Sequence, residues 1–179
     1  MKRRLSPRRR PAIAAAAAAL VGTSLAALAA AAGPAGAQAT QTEYFTAFLA
    51  LRGNSAQPAW SAATAGGAFD ARGTLHFGAN GPHGVHHDIL IFQKGTIDLA
   101  EVGKTDTFTF SPKTCVGSDH ETGTYQVTGT GQYANVTGNG SWQHNATIVA
   151  PLQSGCTPSS PGTVGFVRFA ASGPISLGG

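Results

Sequence analysis

The chain's six histidines and eight acidic residues are its main candidates for acid–base or metal chemistry. Three of the histidines sit in HGVHHD at 83–88, where strand alternation puts His86 and Asp88 on one face and His87 on the other. A metal site there would need two or three of His76, His83, His86, His87 and Asp88 to converge, with outer partners fixing the ring tautomers. Their spacing matches no recognised zinc pattern, and a Pro/Gly-rich turn feeding a strand also suits solvated histidines. His83, His86 and His87 therefore stand only as metal candidates, and no metal or other cofactor is expected. His86 with Asp88 has the makings of an oriented acid/base pair, although i and i+2 neighbours point the same way without having to touch.

A second constellation lies in WQHNATIV, where Trp142, His144, Ala146 and Ile148 share the face expected to point inward. Two accounts of His144 follow. It is a core histidine satisfied by one hydrogen bond, or it is the polar group that, with Trp142, lines a pocket and orients a mostly apolar ligand. Arg168 alternates with Val164 and Phe166, either as an anion-holding residue inside a barrel or at a rim with its stem along the wall. Among Asp70, Asp98, Asp106, Asp119 and Glu121 no spacing singles out a glycosidase-type pair. No GxSxG, HExxH, P-loop or Rossmann pattern is present, which removes the commonest hydrolase and nucleotide chemistries.

The elements that must carry these residues read as strands. Glu43–Arg52 alternates Phe45, Ala47, Leu49 and Leu51 with Tyr44, Thr46, Phe48 and Ala50, a pattern expected of a strand covered on both sides. Strands follow at 74–77, 85–92, 96–102, 105–110, 124–128, 141–150 and 164–171, bounded by glycine, proline or asparagine, with 60–69 a weaker candidate broken by Gly66 and Gly67. About eight strands and no long apolar helical period predict a single all-β domain, a sandwich or an antiparallel barrel.

Before them, Lys2, Arg3, Arg4 and Arg8 to Arg10 precede an alanine-dominated apolar stretch, and Ala37, Gln38, Ala39 form a small-residue cleavage site. Residues 1–39 are expected to be a secretory signal peptide cut after Ala39, leaving 40–179 as the domain, with no stable membrane anchor once it is removed. The arginine pairs do not distinguish the Sec from the Tat route. Cleavage would take six of the twelve basic side chains and none of the eight acidic ones, moving the formal charge from +4 to −2. The remaining basic residues are scattered singly, so nucleic acid is not an expected partner. Cys115 and Cys156, an even pair in an exported chain, are expected to form a disulfide.

The most specific segment is GTYQVTGTGQYANVTGNGSW at 123–142, in which Gly129, Gly131, Gly138 and Gly140 hinge one strand into the next and Asn135 sits mid-corner, suited to left-handed geometry. The corner GTGQYANVTG resembles the glycine, glycine, aromatic, glycine corner of the allene oxide cyclase and dirigent barrels. TFTFSPKTC followed by GTYQVTGTGQY resembles small exported actinobacterial proteins grouped with them. The resemblance is tight from Phe108 to Trp142 and departs from the family at Asn135, where glycine is expected. It implies an eight-stranded antiparallel barrel related to the calycins, and oligomers are known among dirigent-like barrels. No catalytic residue of the cyclases maps onto this chain. The leading expectation is thus a secreted barrel that binds a small, mostly apolar ligand or a protein partner. The alternatives are a cyclase- or dirigent-like isomerase acting by confinement in the lumen, and a purely structural, surface-associated protein. The state of the lumen separates them. An interior closed by Phe45, Phe108, Trp142 and Phe166 removes the site; an open one facing His144 or Arg168 favours binding; an added carboxylate favours an enzyme.

Overall fold

The computed structural model of the chain describes residues 40–53 and 55–178; the expected signal peptide, 1–39, lies outside them. Eight antiparallel strands follow one another as an up-and-down meander: β1 (Gln41–Arg52), β2 (Trp60–Gly66), β3 (Ala71–Phe77), β4 (Val85–Phe92), β5 (Gly95–Ser111), β6 (Val116–Gly129), β7 (Val136–Val149) and β8 (Val164–Leu177). Each strand pairs with the next, and β8 returns to β1 from Gln41↔Ile175 to Arg52↔Val164, closing the barrel. Closure removes the free edges that an open sheet would leave unpaired. Among the described residues no helix is long and apolar enough to cross a membrane.

Alternation sets what enters the lumen. Glu43, Phe45, Ala47 and Leu49 of β1 are buried, whereas Tyr44 and Phe48 are exposed, so this strand is covered on its inner face alone. A closed barrel has no second layer outside it, which is why the two-sided cover expected for β1 is absent. The stretches 96–102 and 105–110 are one strand, β5, whose register with β6 shifts between Gly103 and Thr105. β4 pairs with β5 only as far as Val85↔Val102, so the far half of β5 runs on paired with β6 alone, and Thr105 to Thr109 are exposed. The weaker candidate at 60–69 supplies a full member of the barrel, β2.

One end of the barrel is packed shut. Phe69, Phe92 and Tyr133 meet there with ring centroids 4.7 to 6.2 Å apart, and Phe45 packs edge-on against Tyr125 at 6.3 Å. Buried Glu43 anchors this cap by accepting a hydrogen bond from the Phe69 backbone at 3.2 Å. The β6–β7 corner crosses the same end through a short 3-10 turn, Gly131–Tyr133. Its left-handed residue is Gly131, with φ of 61°, where a side chain would strike the carbonyl of Lys94. Asn135 is not left-handed; among the described residues the non-glycine positions with positive φ are His83, Cys115 and Cys156. The turn is already made at Gly131, so Asn135 has no strained position to fill.

Cys115 and Cys156 form a disulfide, with Cα atoms 5.0 Å apart. It joins the β5–β6 turn to the β7–β8 connection, two segments separated by 41 residues in sequence.

Candidate functional site

The other end of the barrel opens into a cavity of about 300 Å³. Its apolar wall comes from Leu49 and Leu51 on β1, Ile148 on β7, and Val167 and Phe169 on β8, with Trp142 and His144 beside them on β7. Trp142 is held from two sides. Its indole covers Gly123, where any side chain would collide with the ring, and its Nε1 donates to the Thr124 carbonyl at 3.1 Å. The His144 ring lies next along the strand, its centroid 5.8 Å from that of Trp142.

Four carboxyl groups share this lumen: Asp88 on β4, Glu101 on β5, and Asp119 and Glu121 on β6. The pairing of β6 with β7 sets Glu121 directly opposite His144. His144 Nε2 lies 3.1 Å from Asp119 Oδ2 and 3.6 Å from Glu121 Oε2. In the tautomer that carries its proton on Nε2, His144 donates a hydrogen bond to Asp119 Oδ2. His144 thus makes one hydrogen bond, and its partner is a lumen acid. The histidine sits between two acids on a cavity wall.

Glu101 lies deeper. It is 5% exposed, Oε1 is buried without a hydrogen-bond partner, and its cross-strand neighbours are His86 and Tyr125. A buried polar atom left unsatisfied costs about 1–3 kcal/mol, which a fold tolerates chiefly where the group has work to do. Burial, then the charges of Asp88, Glu121 and Asp98, push the Glu101 carboxyl up to about 10, so it is a neutral acid at pH 7. Burial and then the charge of Asp98 push Asp88 up to about 7. Glu121 is also raised, by burial first, while His144 opposes the shift.

The remaining candidates lie apart. Arg168 is exposed on the outer face, opposite Phe48 and Asn145, and does not line the cavity. The inward residues of β8 are Gly165, Val167 and Phe169, one position out of phase with the alternation Val164, Phe166, Arg168 read from the sequence. Neither Phe108, 48% exposed, nor Phe166, 58% exposed, closes the lumen. His83 occupies the exposed turn before β4, and His87 points through the outer wall to Asp98, 2.9 Å away. His86 does reach the cavity mouth, but its Nδ1 contacts Asn80 Oδ1 at 3.1 Å rather than Asp88. Among the described residues no three His, Cys, Asp or Glu side chains are grouped to hold a metal ion.

Asp88, Asp119 and Glu121 stand among the sequence candidates but Glu101 does not, and no spacing groups the four, because the barrel assembles them across three strands. A signal was nevertheless present. Glu101 continues the inward run Ile97, Leu99, and an acid in phase with buried aliphatics is a buried acid.

Compared with known families, with curated proteins and with solved structures, the chain shows no match.

Proposed function

We propose that this is an exported barrel that carries a small, mostly apolar molecule in the open end of its lumen. The observation that carries the reading is the cavity itself: apolar on β1, β7 and β8, with its polar groups gathered on β4 to β6 and at His144. An eight-stranded barrel has room for side chains or for one small ligand, and about 300 Å³ is the lower end of the range for small-molecule sites. The basic, alanine-rich leader and the disulfide support an extracellular setting. We read the chain as a relative of the allene oxide cyclase and dirigent barrels, a kinship supported by the glycine corner and by the strand number.

A specific arrangement favours isomerase activity as the second reading. A neutral acid, Glu101, and a histidine held between Asp119 and Glu121 line the same cavity, so a confined molecule would meet a proton donor and a proton acceptor at once. For the histidine to accept, Nδ1 must be the free nitrogen, since Nε2 is committed to Asp119.

Solvent extraction of the natively exported protein, followed by mass spectrometry, tests the binding reading. A recurrent small molecule is expected from the wild type and none from Ala146→Phe, which fills the lumen beside His144. Repeated extracts without any such molecule, or equal recovery from both proteins, would contradict it.

A further inference from the structure

The charge inventory of the lumen is lopsided in a way that selects among ligands, an inference that rests on the binding reading above. Of the chain's eight acidic residues, four line this one cavity. Beyond residue 39 the basic residues are Arg52, Arg72, Lys94, Lys104, Lys113 and Arg168; all six are exposed and none lines the cavity. The imidazoles of His86 and His144 are the lumen's own counterweights. His144 is already divided between Asp119 and Glu121, and His86 is turned toward Asn80 at the mouth. Nothing balances the deeper pair, Asp88 and Glu101, and Glu101 Oε1 faces the cavity region buried and without a partner.

A cavity so built has acceptors to spare and apolar wall opposite them. A ligand carboxylate would bring its charge beside Asp88, Asp119 and Glu121, each of which repels it when ionised, in a poorly solvated space. An ammonium group would do the reverse, giving Glu101 and Asp88 the donors that the protein does not provide. We infer that the lumen selects compact apolar amines, the ammonium group directed at Glu101 and Asp88 and the hydrocarbon body against Leu51, Ile148, Val167 and Phe169. The proton balance is simple: the amine enters as ammonium, Glu101 gives up its carboxyl proton to the buffer, and the bound state is an ammonium–carboxylate pair.

Three probes with one hydrocarbon cage test this by calorimetric titration of the intact barrel: adamantan-1-amine, adamantan-1-ol and adamantane-1-carboxylate. The amine is expected to bind about tenfold to a hundredfold more tightly than the alcohol, the usual advantage of a charge-assisted hydrogen bond over a neutral one. The carboxylate is expected to bind more weakly than the alcohol. Glu101→Gln should bring the amine down toward the alcohol, and Ala146→Phe should abolish binding of both. An alcohol that binds as tightly as the amine, or a carboxylate that binds more tightly than either, would overturn the choice of amine while leaving lumen binding intact. Amine binding that survives Ala146→Phe would also overturn it, since the site would then lie outside the lumen. If none of the three binds, lumen binding itself fails and the inference falls with it.

Discussion

Above about pH 5 the folded barrel should lose stability as pH rises, and Glu101→Gln should remove most of that loss. In the unfolded chain this carboxyl ionises near its ordinary value of 4.5. In the barrel, burial and then the neighbouring acids Asp88, Glu121 and Asp98 hold its proton up to about 10. Between those two values the folded state keeps a proton that the unfolded state has released, so rising pH favours unfolding. Below the ordinary carboxylate range both states are protonated and the effect vanishes. Asp88 acts with the same sign between 3.8 and about 7. The limiting slope for one such group is about 1.4 kcal/mol per pH unit, so Glu101 alone should cost roughly 4 kcal/mol between about pH 5 and pH 8. That is a large share of the ~5–15 kcal/mol by which a domain is ordinarily stable. Glutamine keeps the shape of the neutral acid and cannot ionise. Urea unfolding across this range should therefore give a falling profile for the wild type and a flatter one for the variant, the two converging near pH 5. Parallel profiles would mean that Glu101 ionises alike in both states.

The second large effect should come from the disulfide. Replacing both Cys115 and Cys156 by alanine frees a loop with a sequence separation of 41 residues. The chain-entropy account assigns its closure about 4 kcal/mol. Unfolding midpoints in urea should fall accordingly, and the slope with denaturant should rise as the uncrosslinked chain exposes more surface. The bond also has a local role. It fixes the connection between Val149 and Val164, and the strands flanking that connection place Ile148 and Gly165 on the cavity wall. A loss below about 1 kcal/mol would show that the turn and the connection hold each other without it.

Much of the architecture was legible from alternation. Phe45, Ala47 and Leu49 on β1 and Trp142, His144, Ala146 and Ile148 on β7 have the inward orientation that a period of two implies. The even cysteine pair in a chain expected to be exported pointed directly to the disulfide. Other features depend on closure, which no local pattern encodes. Phe166 and Arg168 look equivalent to an inward pair until pairing with β1 fixes their phase, Phe166 facing Ala50 and Arg168 facing Phe48 on the outside. The bulge after Gly103 puts Phe108 in phase with cavity-lining Asp119, but β5 has by then run past its last pair with β4, Val85↔Val102, and Phe108 is left exposed. The site's acids span 33 positions along the chain, from Asp88 to Glu121, and meet only because β4, β5 and β6 are neighbours in the barrel.

The proposed site requires that the lumen beyond Trp142 be accessible space in solution, and methyl NMR in xenon-pressurised buffer measures that without knowledge of the natural ligand. Xenon enters apolar cavities that are empty and leaves packed cores alone. Methyl groups of Leu51, Ile148 and Val167 should shift saturably with xenon pressure, while those of Leu75, Leu90 and Ile97, fully buried in the packed core, stay still. If the lumen methyls are as unresponsive as the core ones, this end of the barrel is filled or closed in solution, and the site proposed for it does not exist.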